Sequence, residues 1–181
     1  MAFLTTNYSN VQENTGFEPL PTGNYEMIIA DASEDATPSG AETLQITLVV
    51  RNDLDGVAGM EETNKKFKNR RIFNDNWKRK ATHQYDMDGF QSILKAVGVP
   101  EGTAVNSVDQ FIDLLIGKPV KVYVKQEENT YNGETKMVNR VAPWNYSETD
   151  FPSVQHTGKE ERKETPVNQP DVFISDADLP F

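Results

Sequence analysis

A period of two in the apolar residues constrains this chain more than any other feature. In residues 42–51, Leu44, Ile46, Leu48 and Val50 alternate with Thr43, Gln45, Thr47 and Val49, the spacing that sends one set to each face of a strand. Residues 24–32 repeat it after the turn residues Pro21-Thr22-Gly23, with Tyr25, Met27 and Ile29 opposed to Glu26, Ile28 and Ala30. Residues 119–126 set Val120, Val122 and Val124 against Lys121, Tyr123 and Lys125. Asn132-Gly133 then marks a two-residue hairpin turn, and a return strand is expected over residues 134–141. A further strand is read at residues 67–74.

Between the third and fourth strands the period changes. Phe90, Leu94 and Val97 fall on one helical face within residues 86–97, and Gly98-Val99-Pro100 stops that helix. Ser107 with Gln110 three residues on forms a capping box for a second helix, with Phe111, Leu114 and Leu115 as its apolar face and Gly117 at its end. The order is strand, strand, strand, helical insert, strand, strand. It predicts a mainly β fold, an OB-fold-like five-stranded Greek-key barrel with a helical insert between strands 3 and 4. Residues 1–20 read as an N-terminal arm, 21–144 as the barrel domain and 145–181 as a flexible acidic tail, which is too poor in apolar residues to offset its ordering entropy.

Charge is distributed unevenly. The formal net charge is -10, yet Lys65, Lys66, Lys68, Arg70, Arg71, Lys78, Arg79 and Lys80 crowd into sixteen residues with Asp75 as the one acid among them. Screening at physiological salt limits the reach of distant charge to about 8 Å, so the local field decides what binds there. Phe67, Phe73 and Trp77 are interleaved with these cations. Cations for phosphates and flat faces for bases are what single-stranded DNA requires. On a strand over residues 67–74, Lys66, Lys68 and Arg70 would share one face. Phe67 and Phe73 read as barrel core, whereas Trp77 is the better stacking candidate. Lys121, Tyr123 and Lys125, with Tyr131 at the hairpin tip and Lys136 beyond it, form a second candidate set, since the loop joining strands 4 and 5 lines the oligonucleotide groove of OB-folds. Trp144 reads as core or cap.

Other chemistries find little footing. The absence of cysteine removes disulfides, thiolate metal ligands and thiol nucleophiles. His83 and His156 stand far apart, and no phosphate-binding loop, nucleophile elbow or zinc motif occurs. Asp86-x-Asp88-Gly89 is a fragment of a calcium loop and fits an N-cap better. No catalytic residue, metal or cofactor is expected, and the protein is not read as an enzyme. No membrane span or signal peptide is read, so the expected setting is cytoplasmic.

The chain ends Asp176-Ala177-Asp178-Leu179-Pro180-Phe181. This acidic terminus resembles the C-terminal tip of bacterial single-stranded DNA-binding proteins. Asp176, Asp178, Leu179, Pro180 and Phe181 would then bind partner proteins, Phe181 filling an apolar pocket and its carboxylate meeting a basic group. The body resembles the DUF669 group of phage-encoded, proposed single-stranded DNA-binding proteins in Gly23-x-Tyr25-Glu26, Ser39-Gly40 before Leu44-Gln45-Ile46, Arg51-Asn52-Asp53, Arg71-Ile72-Phe73, Gly117-Lys118-Pro119 and Trp144. The resemblance implies a sequence-nonspecific DNA-binding protein of phage replication, recombination or repair inside a bacterial host. The helical insert and N-terminal arm depart from the bacterial pattern, and homo-oligomer formation is left open. The rival reading is an adaptor that engages host enzymes through the tail without binding DNA; a preference for RNA is a third.

Overall fold

The computed structural model describes residues 18–158. Its sheet is antiparallel throughout. Strand β1 (Gly23–Ala36) pairs with β2 (Glu42–Val50) on one side and with β4 (Pro119–Tyr131) on the other. Strand β3 (Arg71–Trp77) extends the sheet beyond β2, and β5 (Glu134–Arg140) extends it beyond β4, giving the order β3-β2-β1-β4-β5. A short β6 (Tyr146–Ser147) also pairs with β4. The helices α1 (Met87–Ala96) and α2 (Val108–Leu115) lie between β3 and β4. This is the strand order of a partly open OB-type barrel.

The inward residues are those the alternation predicts: Met27, Ile29, Leu44, Ile46, Leu48, Val120, Val122 and Val124 are buried, each worth about 1.5–3 kcal/mol for a side chain of this kind. The insert adds its own aromatic layer, with the Phe90 and Phe111 rings stacked at 4.4 Å. Ser107 Oγ accepts from the Gln110 amide at 3.1 Å and starts α2. Asp86 stands at the N-cap of α1, but its side chain makes no cap and instead pairs with Arg79. Asn132 and Gly133 both take positive φ, 50° and 78°, the turn geometry that matches the twist of a hairpin.

Several boundaries differ from expectation: β1 runs on to Ala36 and β4 to Tyr131, and three further differences have a clear cause. The third strand begins at Arg71 rather than 67, because Glu61–Lys65 winds into a π-helical turn that continues helically through Phe67. The turn is anchored by buried Asn64, which accepts from the Glu26 amide (3.0 Å) and donates to the Glu26 carbonyl (2.8 Å). Lys66, Lys68 and Arg70 therefore share no strand face. Leu20, expected in the arm, is fully buried and exchanges two hydrogen bonds with the Asn139 side chain. Residues 145–158, expected in the flexible tail, lie against the barrel.

Arg51 explains that last difference. Its guanidinium is fully buried and forks onto Asp53, with Nε–Oδ1 at 2.9 Å and Nη2–Oδ2 at 2.6 Å. The remaining donors reach the Phe151 carbonyl (2.6 Å) and the Ser153 carbonyl (2.9 Å). Glu26, also buried, accepts from Thr149 Oγ1 at 2.5 Å and from the Asp150 amide at 3.2 Å. The Asn52 amide donates to His156 Nδ1 at 3.0 Å. Few apolar side chains occur in this strap, and buried charge holds it instead. The tip residues Asp176, Asp178, Leu179, Pro180 and Phe181 lie outside the described residues.

Candidate nucleic-acid interface

The pairing registers define rows across the outer face of the barrel. Thr43 stands beside Trp77, Gln45 beside Asp75, Thr47 beside Phe73 and Val49 beside Arg71. Ile72 and Asn74 point inward and are buried, so Arg71, Phe73, Asp75 and Trp77 point out. Phe73 is 55% exposed and Trp77 47%. Four residues of strand at about 3.3 Å each put their α-carbons about 13 Å apart. Phe73 was expected in the core, and the structure corrects that. Its neighbours in the same alternation are the charged Arg71 and Asp75, which could not be buried unpaired. Phe67, expected in the core, is partly buried and packs against it, edge-on to Tyr25 at 6.2 Å.

Trp144 is corrected likewise: it is 73% exposed, in a 3₁₀ turn spanning Pro143–Asn145. That turn is tied to β3, because buried Asn74 donates to the Val141 carbonyl (2.7 Å) and accepts from the Tyr146 hydroxyl (3.0 Å). Burial raises the Tyr146 hydroxyl well above its ordinary pKa, keeping it a donor. Phe73, Trp77 and Trp144 are thus three aromatic side chains turned to solvent, of which Trp77 was the expected one.

The cations are scattered more than their sequence clustering suggested. Arg71, Lys65 and Lys80 are exposed and form no ion pair among the described residues. Lys66 pairs with Glu62 (3.3 Å), Lys68 with Asp55 (2.6 Å), Lys78 with Glu42 (2.6 Å) and Arg79 with Asp86 (3.3 Å). Lys78 also sits 5.1 Å over the Tyr85 ring, and its hydrogen bond and charge hold the Glu42 carboxyl below its usual range. Arg70 donates to the Glu18 carbonyl. Exposed pairs are worth about 0–1 kcal/mol, so a phosphate can displace such carboxylates at small cost.

The β4–β5 hairpin supplies the second predicted set. Tyr123, Lys125 and Tyr131 share one face of β4, and pairing of Asn129 with Lys136 brings Lys136 onto it. Tyr131 is 74% exposed and Tyr123 also reaches solvent. Lys125 forms no ion pair among the described residues, whereas Lys136 meets Glu134 at 3.6 Å. Lys121 is set apart from this group, because the strap brings Asp150 to within 3.0 Å of its ammonium. Among the described residues no cluster of three or more His, Asp or Glu could hold a metal, and no helix is long and apolar enough to cross a membrane.

Strand order and the helical insert together make this an OB-type β-barrel protein with an aromatic outer face. The chain belongs to the DUF669 family, described as a protein of unknown function, over residues 4–164. No curated protein matches it. Among solved structures it is similar to one titled yeast RPA bound to ssDNA, at 10% identity and a TM-score of 0.31, over 74% of this chain and 79% of that one.

Proposed function

We propose that this protein binds single-stranded DNA without sequence preference, bases stacking on the outer face of β3 and phosphates meeting the cations beside it. The observation that carries the reading is the exposure of Phe73 and Trp77 on one strand face that also presents Arg71. Two aromatic rings turned to water on one strand face are what unstacked bases need, since every base offers them a π-face. Lys65 and Lys80 flank that strand in sequence, and Lys125, Tyr131 and Lys136 offer a second surface on the hairpin. The terminal residues 176–181 recruit replication, recombination or repair proteins, which suits a phage protein working in the bacterial cytoplasm. No catalytic step belongs to this reading.

Fluorescence anisotropy of labelled oligo-dT against salt concentration tests it. Log affinity should fall linearly with log salt, with a slope near -0.7 for each phosphate neutralised. Replacing Arg71, Lys65 and Lys80 with glutamine should flatten that slope. A salt-independent affinity, or an unchanged slope in the triple variant, would contradict the assignment of the cations.

The adaptor reading draws on a specific observation too: four of the eight clustered cations already hold carboxylates of the same chain. An adaptor would capture partner enzymes equally well with Phe73 and Trp77 replaced and would show no affinity for oligo-dT at low salt.

A further inference from the structure

The β4–β5 hairpin runs beyond the barrel. From Lys125 to Tyr131, β4 pairs with β5 alone, and among the described strands nothing pairs with the far edge of β5. No proline or bulge interrupts that edge, and the register with β4 is unbroken from Lys125↔Arg140 to Tyr131↔Glu134. Open, regular edges of this kind are templates for strand addition, and two-stranded arms are marginally stable in water by themselves. Met137, 43% exposed, stands at the middle of β5.

We infer that β5 pairs with β5 of a second copy of this chain, antiparallel about a two-fold axis through Met137. A two-fold perpendicular to the sheet keeps each side chain on its own face, so a residue of β5 must lie on the axis. Three placements give substantial overlap. An axis at Lys136 sets Lys136 against its own copy, and an axis at Val138 sets Lys136 against Arg140. Like charges directly opposite destabilise a sheet. The axis at Met137 uses the full strand and has no such conflict. Glu134 then faces Arg140 twice, Lys136 faces Val138 twice, Thr135 faces Asn139, and the two Met137 side chains meet at the centre. This is an isologous interface, in which one patch is its own complement. The present partners of these charges, Glu127 for Arg140 and Lys136 for Glu134, are exposed pairs within the hairpin and exchange at little cost.

The interface does not depend on DNA binding, although its main consequence does. Lys125, Tyr131 and Lys136 share the face that the axis preserves, so the dimer sets two copies of this surface side by side on one four-stranded sheet and lengthens the stretch of strand it can hold. Sedimentation velocity of the full chain at micromolar concentration is the direct test, with circular dichroism as a check on folding. Wild type should sediment at twice the chain mass. Glu134→Arg alone and Arg140→Glu alone should each sediment as monomers, and the two changes together should restore the dimer. A monomeric wild type, a dimer that survives both single reversals, or a double variant that stays monomeric would overturn the interface. Anisotropy with a short oligo-dT, which one barrel can hold, keeps the readings apart, since the monomeric variants should still bind it if the DNA reading holds.

Discussion

Arg51 is the residue on which the largest single stability effect is expected. Its head group is fully buried, and removing one member of a buried pair costs about 3–5 kcal/mol. Arg51→Met should lower urea-unfolding stability by about that amount and expose residues 149–157 to protease. A loss below about 1 kcal/mol would show that the fork contributes little beyond what exposed pairs do. Thr43 predicts the opposite sign. Its Oγ1 is buried with no hydrogen-bond partner among the described residues, so Thr43→Val removes an uncompensated polar atom and should be neutral or stabilising by about 1 kcal/mol. A marked loss of stability would mean that the hydroxyl has a partner.

At the scale of elements, the strap carries a pH-sensitive latch at His156. His156 accepts from the Asn52 amide through Nδ1, which requires that nitrogen to be unprotonated. Burial lowers its pKa, Asp53 opposes that and Arg51 adds to it. A histidine with a depressed folded pKa binds fewer protons than in the unfolded chain, so its contribution is complete above about pH 6.5 and fades as pH falls below that value. Asp53 follows at lower pH. Burial pushes its carboxyl up, but the hydrogen bonds from Arg51 and the Gln155 amide and the Arg51 charge outweigh this and hold it below its usual range. Its contribution is complete above about pH 3.9 and is lost below. Exchange of the Asn52 amide should therefore lose protection as pH falls below about 6.5, and His156→Asn should abolish that step. Protection that is constant across this window would contradict the latch.

Elements with a clean period were legible. Leu44 to Val50 and Val120 to Val124 needed only alternation, and Asn132-Gly133 needed only the chirality of its turn. Phe67 and Phe73 show where this stopped. Both are phenylalanines within one basic stretch, yet one faces the core and the other faces water, because Asn64 winds the preceding residues into a helical turn that no local period announces. The strap was missed for a similar reason. Residues 145–158 have too few apolar side chains to look folded, and what holds them is a guanidinium about a hundred residues earlier in the chain. The motif Arg51-Asn52-Asp53 was visible as a likeness, but its role as an anchor appears only in three dimensions. Trp144 follows from the same miss, since the chain does not end its packing there and the ring is free to face solvent.

Over the whole molecule, an acidic chain presents local cationic patches, most of them partly answered by their own carboxylates. Affinity for a polyanion should therefore depend steeply on salt and rest as much on stacking as on charge. Alanine at Phe73 and at Trp77 should each cost about 1–3 kcal/mol of oligo-dT binding, or about 5- to 150-fold in affinity. The chain has two tryptophans, which allows the central claim to be tested at one ring. In Trp144→Phe protein all tryptophan emission comes from Trp77, and titration with oligo-dT should quench it in step with the rise in anisotropy. Binding that proceeds with Trp77 emission unchanged would place the bases elsewhere and contradict the assignment of the β3 face.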